Sequence, residues 1–302
     1  MNSKCRTAYD LDTLPMNDFI SAVKELPKSN DIIEGILPEQ QVMLMAGDPW
    51  QGKSLENQML TCAFGAGQSY HGLRLRKCRA IYFTWEGNGN KIADRFSRLA
   101  SQFEIEPQYM PSIKMLPEKK AINTAEGQAY FISEITKAGA TVALFDSFPY
   151  TVQGNYSKDD AIINEWWNGL QNIVHSTSVT PIFVWEFTKL SFNANSPQDQ
   201  FGLVRLKSGY TVAYKVNTVV MIGEERGNKR VDIDGVSTVR WQSLGHKIVV
   251  AKAKDANQLE PLTVTLDPNT LLWTGQHWML NNHTGEYEVI ADDAEVMIEG
   301  AI

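Results

Sequence analysis

From Gln41 onward the chain alternates short apolar runs with longer amphipathic segments. The runs are VMLMAG (42–47), AIYFTWE (80–86), VALFDSF (142–148), PIFVWEF (181–187), VNTVVMIG (216–223) and HKIVVAKAK (246–254). They are apolar at odd and even positions alike, as parallel strands buried on both faces require, and helical segments separate most of them. The pattern predicts an α/β fold with a mostly parallel central sheet flanked by helices. Short strands expected around Val216, Val231 and Ile248 follow one another without a long helix between them, so they are expected to extend the sheet in antiparallel fashion or form hairpins at its edge. Residues 161–174 read as an amphipathic helix whose tandem Trp166 and Trp167 divide between core and interface. The polar, aperiodic stretch Ser191–Gly202 reads as a loop. Before Gln41 the chain is mixed and polar, with one amphipathic stretch, Phe19–Leu26, stopped by Pro27. The expected division is an N-terminal arm over 1–38, a core over 39–260, and a small β extension with an acidic tail over 261–302.

The strongest chemical signal sits at the end of the first apolar run. Gly47-Asp48-Pro49-Trp50-Gln51-Gly52-Lys53-Ser54 satisfies the phosphate-loop pattern GxxxxGK[ST] at every fixed position. Such a loop wraps phosphate oxygens in backbone N–H groups, with glycine where the chain turns at positive φ or approaches the ligand closely. Lys53 is placed to reach the β and γ phosphates, and the Ser54 hydroxyl to hold Mg²⁺. Leu55 continues into a helix whose N-terminus faces the phosphates. The loop from Gly47 to Leu55 is therefore the expected ATP-binding element.

Hydrolysis of a bound nucleotide needs a carboxylate on the metal side and a group that orients water. Asp146 closes the apolar run Val142–Phe145, the usual placement of the metal-side acid, with a helix cap as the lesser alternative. Glu86 closes the second run, ahead of the turn Gly87-Asn88-Gly89, where ligands of open α/β sheets bind. It suits a general base, and as bare sequence also a solvated turn residue.

Lys53, Glu86 at the end of the next run and Asp146 at the end of the third resemble, in that order, the RecA-superfamily P-loop ATPases. Within that superfamily the closer resemblance is to the plasmid and phage replicative helicases that form hexameric rings. The resemblance spans about residues 30–270. It implies a RecA-like P-loop NTPase core with an antiparallel β extension on its C-terminal side. It also implies ATP hydrolysis with Mg²⁺, Glu86 activating water, and Asp146 and Ser54 serving the metal. HKIVVAKAK resembles the strand that offers Lys-x-Lys to a neighbouring subunit's nucleotide, which nominates Lys252 and Lys254. Edge-strand lysines that only blunt aggregation read the same way, and Arg205, Lys207 and Arg240 are rivals. VWEFTK (184–189) stands where the family has a His or Gln sensor and then a lysine; Trp185-Glu186 depart from that pattern and Lys189 keeps it. The resemblance further implies channel loops, 147–160 with Tyr150, Asn155, Tyr156 and Lys158, and 190–208 with Asn193, Asn195, Gln198 and Gln200, that touch single-stranded DNA. Replication proteins are its implied partners. A recombinase filament and a regulatory nucleotide-binding module remain the alternatives.

Charge bears on the DNA reading. The 302 residues carry 28 Lys+Arg against 35 Asp+Glu, net −7, which argues against a protein that binds by neutralising phosphates. The excess is local: residues 286–302 hold six acids and no Lys or Arg, whereas Arg205–Lys254 holds ten basic residues against four acids. That segment is the expected DNA surface, and the acidic tail is expected to compete for it. A second basic group, Arg74, Arg76, Lys77 and Arg79, reads as surface solubility. Three cysteines without CxxC spacing, no apolar leader and no run long enough to span a bilayer point to the cytoplasm and away from membranes.

Overall fold

Runs that are apolar on both faces become the centre of one sheet, as a computed structural model shows for residues 13–24, 30–85, 87–156, 159–186, 201, 203, 206, 209–233, 236–254, 259–281, 284 and 286–291. The chain opens with α1 (Met16–Lys24), the antiparallel pair β1 (Asp31–Ile33) and β2 (Leu37–Pro38), β3 (Met43–Gly47) and α2 (Lys53–Ala66). Next come β4 (Ala80–Thr84), α3 (Gly89–Ala100), β5 (Ser112–Met115), α4 (Ala125–Ala138), β6 (Val142–Asp146), α5 (Asp160–Thr177) and β7 (Thr180–Glu186). A short α6 (Gly209–Lys215) leads to β8 (Thr218–Ile233), β9 (Val236–Ala253), β10 (Leu262–Leu266), β11 (Trp273–Leu280) and β12 (Tyr287–Ala291).

The sheet runs β12-β11-β10-β9-β8-β3-β7-β6-β4-β5. β5 through β8 are mutually parallel along this order, and every pairing from β8 out to β12 is antiparallel. This is the mostly parallel α/β sheet with a C-terminal antiparallel extension that was expected. β3, β4 and β6 are buried at all five positions, so alternate residues feed two cores. Met43, Tyr82 and Leu144 pack with Leu60 and Phe64 of α2 and Leu99 of α3 on one face. Leu44, Phe83 and Phe145 pack with α4, α5 and α6 on the other. Ile32, Ile33, Ile36 and Leu37 join the α2 core, so part of the stretch read as an arm is packed against it.

Two expectations about strands are corrected. β5 lies at the sheet edge with alternating half-exposed and exposed residues, so it carries no continuous apolar run; Asp146 therefore ends the fourth parallel strand, not the third. The three short strands expected near Val216, Val231 and Ile248 are instead two long ones. β8 and β9 form one hairpin paired from Thr218↔Ala253 to Ile233↔Val236. Its distal half pairs GEERGNKRVDI with VSTVRWQSLG, two segments without a continuous apolar run to announce a strand. The basic group before β4 also does more than solubilise. Arg74 pairs with Glu34, Arg76 with Glu39 and Lys77 with Glu106, while Arg79 donates to the carbonyls of Gln108 and Ala138. Lys158, Lys189, Arg205, Lys207, Asn193, Asn195, Gln198, Gln200 and the tail from 292 onward lie outside the described residues.

On the α5 face one of the tandem tryptophans takes the expected place in the core. Trp166 is fully buried and donates from Nε1 to the Thr151 hydroxyl at 3.2 Å, while Lys215 covers the half-buried Trp167. Phe148 fills the space between Trp166 and Trp185, edge-on to the first (4.9 Å) and stacked on the second (3.5 Å). Trp166→Ala should cost about 3–5 kcal/mol of unfolding free energy, read by denaturant titration; a loss well under 1 kcal/mol would show that the cluster is not a packed core.

Candidate active site

The phosphate loop is built on one close approach and two residues at positive φ. Gly47 lies so near β8 that a Cβ there would meet the Ile222 carbonyl oxygen at 2.2 Å, so only glycine lets β3 run beside β8 at this point. Gly52 has φ +84, the left-handed conformation that starts α2 after the loop. Trp50 also has positive φ, at +68, and is 99% exposed. A non-glycine residue held there needs surrounding contacts to keep it. Gln51 supplies two of them: its side-chain oxygen accepts from the Glu224 N–H at 2.8 Å, and its carbonyl accepts from His246 Nε2 at 2.9 Å.

Inside the loop, Lys53 is only 7% exposed and donates from Nζ to the Asp48 carbonyl at 2.7 Å. Asp146, 4% exposed, stands across from it at the end of β6. Tyr82 of β4 donates its hydroxyl proton to Asp146 Oδ2 at 2.5 Å, and Gln58 Nε2 of α2 donates in turn to the Tyr82 hydroxyl at 3.2 Å. Burial raises the Asp146 pKa above its ordinary value; the hydrogen bonds from Tyr82 and Ser54, then the charges of Lys53 and Arg95, oppose that rise. The Tyr82 phenol is pushed well up, first by burial and then by the Asp146 charge, so it stays a donor. Lys53, Ser54 and Asp146 are thus brought together, with Ser54 and Asp146 in direct contact. Among the described residues there is no group of three or more His, Cys, Asp or Glu that could hold a metal, so a cation here would rely on Ser54, Asp146 and the nucleotide's own oxygens.

Glu86 lies outside the described residues. The strand before it ends with Thr84 in register with Asp146, and Trp85 donates its backbone N–H to the Asp146 carbonyl at 3.3 Å. After it Gly87 turns at φ +96 and the Asn88 side chain caps α3. Trp85 stacks face to face on Tyr150 at 5.9 Å, which joins the end of β4 to the loop after β6.

Glu186, at the sensor position, is the register partner of Gly47, at the start of the phosphate loop. It is half-buried, and after burial it is the second cause that raises the Tyr156 pKa. Trp185 beside it is 1% exposed and belongs to the opposite core, so its departure from the family pattern serves packing. Lys252 and Lys254 lie toward the other end of the sheet: Lys252 is opposite Val219, which is level with Leu44. Lys252 donates to the carbonyls of Ala213 and Val216, and Lys254 to Lys215 at 3.4 Å. Both lysines close the C-terminal end of α6, where carbonyls lack helical partners. Burial, then the Lys254 charge, lowers the Lys252 pKa.

Sequence reasoning missed Arg95 of α3, whose charge acts on both Asp146 and Tyr82. It also missed Tyr82, Gln58, His246 and Trp273. Tyr82 was signalled by strand periodicity, since it lies two residues before Thr84, the register partner of Asp146; nothing local signals the others.

Residues 5–191 match the AAA domain family. The chain belongs to that family. As an AAA-domain protein with this loop it is a P-loop ATPase, and the match ends before α6 and the antiparallel half of the sheet. Among solved structures it is similar to the KaiC-like protein PH0186 from the archaeon Pyrococcus horikoshii OT3, at 14% identity and a TM-score of 0.48, over 82% of this chain and 95% of that one. No curated protein matches the sequence. No described helix of the AAA-domain chain is long and apolar enough to cross a membrane.

Proposed function

We propose that this AAA-domain chain hydrolyses ATP with Mg²⁺ and couples turnover to single-stranded DNA, as a replicative-helicase-like motor assembled into a hexameric ring. The observation that carries the chemical half is the meeting of Lys53, Ser54 and Asp146 where the phosphate loop opens onto the sheet edge. Loop N–H groups and Lys53 bind the phosphates. The Ser54 hydroxyl and the Asp146 carboxylate are the hard oxygen donors that a small divalent cation takes, and they would hold Mg²⁺, which neutralises phosphate charge as the γ-phosphoryl leaves. Glu86 orients the attacking water, and Arg95 adds positive charge on the side of Asp146. A basic residue from a neighbouring subunit completes the site; Lys252, Lys254 and Arg240 are the candidates.

Two observations support the DNA half. Trp85 stacks on Tyr150 next to Glu86, so a base that stacks on Tyr150 would act one residue from the water-orienting group. On the β8–β9 ribbon Lys229 is the direct cross-strand partner of Arg240. That register puts two basic residues at paired positions of the ribbon, a composition that suits a phosphate backbone. The test is ATP turnover with and without single-stranded DNA, with molecular mass measured in the same buffer. The expected result is severalfold stimulation that fades with salt, in a particle of six chains. Turnover indifferent to DNA would remove the motor reading.

Glu186 favours one other reading. A carboxylate at the sensor position repels the γ-phosphate, which suits a regulatory module whose ATP state controls docking with little turnover. The same assay separates the two, since a regulatory module binds ATP and gives a low rate that DNA does not change.

A further inference from the structure

The phosphate loop is gripped from outside by a part of the chain far from it in sequence and beyond the family match. The indole of Trp273, the first residue of β11, lies over Gly52, where a Cβ would come within 2.7 Å of its Cζ2 and 3.4 Å of its Cη2. His246 of β9 stacks on that indole, with centroids 4.7 Å apart and planes at 26°. From this stacked position its Nε2–H donates to the Gln51 carbonyl, and both the neutral Nε2–H ring and the imidazolium can make that bond. Residues 51 and 52, which lead into Lys53, are therefore both contacted by one stacked aromatic pair. The indole Nε1 is buried and makes no hydrogen bond, so the ring is held there by shape and stacking and not by a polar contact of its own.

The hairpin that carries Trp273 is itself anchored. Its turn is closed by Asp267, which accepts from the Asn269 N–H at 2.7 Å and the Thr270 hydroxyl at 2.9 Å. Arg98 of α3 donates to the carbonyls of Pro268 and Asn269 in the same turn. α3 is the helix that follows Glu86 and bears Arg95. One continuous set of contacts thus runs from the loop through Trp273 and the turn to the helix behind Glu86.

We propose that Trp273 and His246 are positioning residues of the nucleotide site, and that the β10–β11 hairpin is a working part of it. They hold the phosphate loop in its anion-binding shape before ATP arrives, so the loop does not have to be ordered at the expense of binding energy. The inference rests on the reading that this loop binds ATP. A loop that keeps its shape only part of the time lowers apparent affinity by the fraction of time spent in the competent form, and it leaves the saturated rate unchanged. The pair therefore acts on KM.

The test uses the full chain with Mg-ATP, comparing wild type with Trp273→Ala, Trp273→Phe, His246→Phe and His246→Gln by steady-state kinetics, ATP-binding calorimetry and thermal melting. If the competent fraction falls to about a tenth, Trp273→Ala raises KM and Kd about tenfold with kcat nearly unchanged. Trp273→Phe, which keeps a ring over Gly52, restores most of the affinity, and His246→Gln does better than His246→Phe because it can still donate to Gln51. A purely structural role would lower the melting temperature without splitting KM from kcat in this way. Unchanged ATP affinity in folded Trp273→Ala, or equal losses for the Ala and Phe variants, would overturn the inference. If Trp273→Ala does not fold, His246→Gln against His246→Phe decides on the same criterion, and equal affinities for those two would overturn it. Wild type that binds no ATP would overturn instead the reading on which the inference rests.

Discussion

Asp146→Asn should abolish most hydrolysis and leave the ligand-free chain as stable as wild type or more so. The loss follows from chemistry: the asparagine keeps an acceptor for Tyr82 but cannot supply the negative oxygen that a Mg²⁺ site needs, and removing one such electrostatic group costs about 10²–10³ in rate. The gain in stability follows from burial. Asp146 is 4% exposed, and desolvation outweighs its partners so that its pKa lies above the ordinary 3.8. A carboxyl with a raised pKa binds more protons folded than unfolded between the two values, so wild-type stability falls as pH rises through that window and stays lower above it. Asparagine has no such slope. Denaturant melts of both forms from the carboxylate range to neutrality, with turnover measured alongside, would show the wild-type curve falling against the variant's. A variant both active and less stable at neutral pH would mean that Asp146 is an ordinary paired carboxylate.

Why the site should carry an unfavourable buried charge becomes clear from its neighbours. Lys53, Ser54, Tyr82 and Arg95 all lower the cost of ionising Asp146 without removing it. A divalent cation adds the largest favourable charge available, so the site is most stable when loaded. The same logic fits the phosphate loop, which holds a non-glycine residue, Trp50, at positive φ. Strain and a desolvated charge both sit close to Lys53, as expected where structure has been arranged for binding more than for stability.

What was legible in the sequence follows from what the sequence must state locally. A strand buried on both faces has to be apolar at every position, so β3, β4, β6 and β7 announced themselves. A phosphate loop has to place Gly, Gly and Lys at fixed spacings, so Gly47 to Ser54 did too. β5 escaped because an edge strand needs only alternate residues inward, and the distal half of β8–β9 escaped because its sequence carries no continuous apolar run. Trp273 and His246 escaped for another reason. Their partners Gly52 and Gln51 are about two hundred residues away in the chain, and nothing near Trp273 distinguishes a tryptophan that braces a loop from one in any half-buried strand. The charge on Lys252 and Lys254 was visible, but α6, whose end they close, was not. The departure Trp185-Glu186 was visible as well, and only the packing of Trp185 on Phe148 explains half of it.

Lys53→Ala should reduce ATP turnover by about 10³ or more, the scale for losing a charged donor aimed at transferring phosphate oxygens. The fold should survive. Lys53 is the first residue of α2, alanine is the best helix former, and the Glu56 N–H to Gly52 carbonyl bond that starts the helix does not involve the side chain. What the ammonium does in the ligand-free chain is local: it donates to Asp48 and lies near Asp146, whose pKa it helps to hold down. Its removal should therefore push the Asp146 carboxyl further up, and the acid limb of any residual activity should move to higher pH in the same direction. Lys53→Arg should not rescue, because the planar fork cannot replace a point charge in a loop this closely packed. Turnover and melting temperature measured on both variants decide the matter: loss of rate with a wild-type melt assigns the loop its chemistry, whereas unchanged turnover in Lys53→Ala would take the catalytic centre away from Gly47–Ser54 altogether.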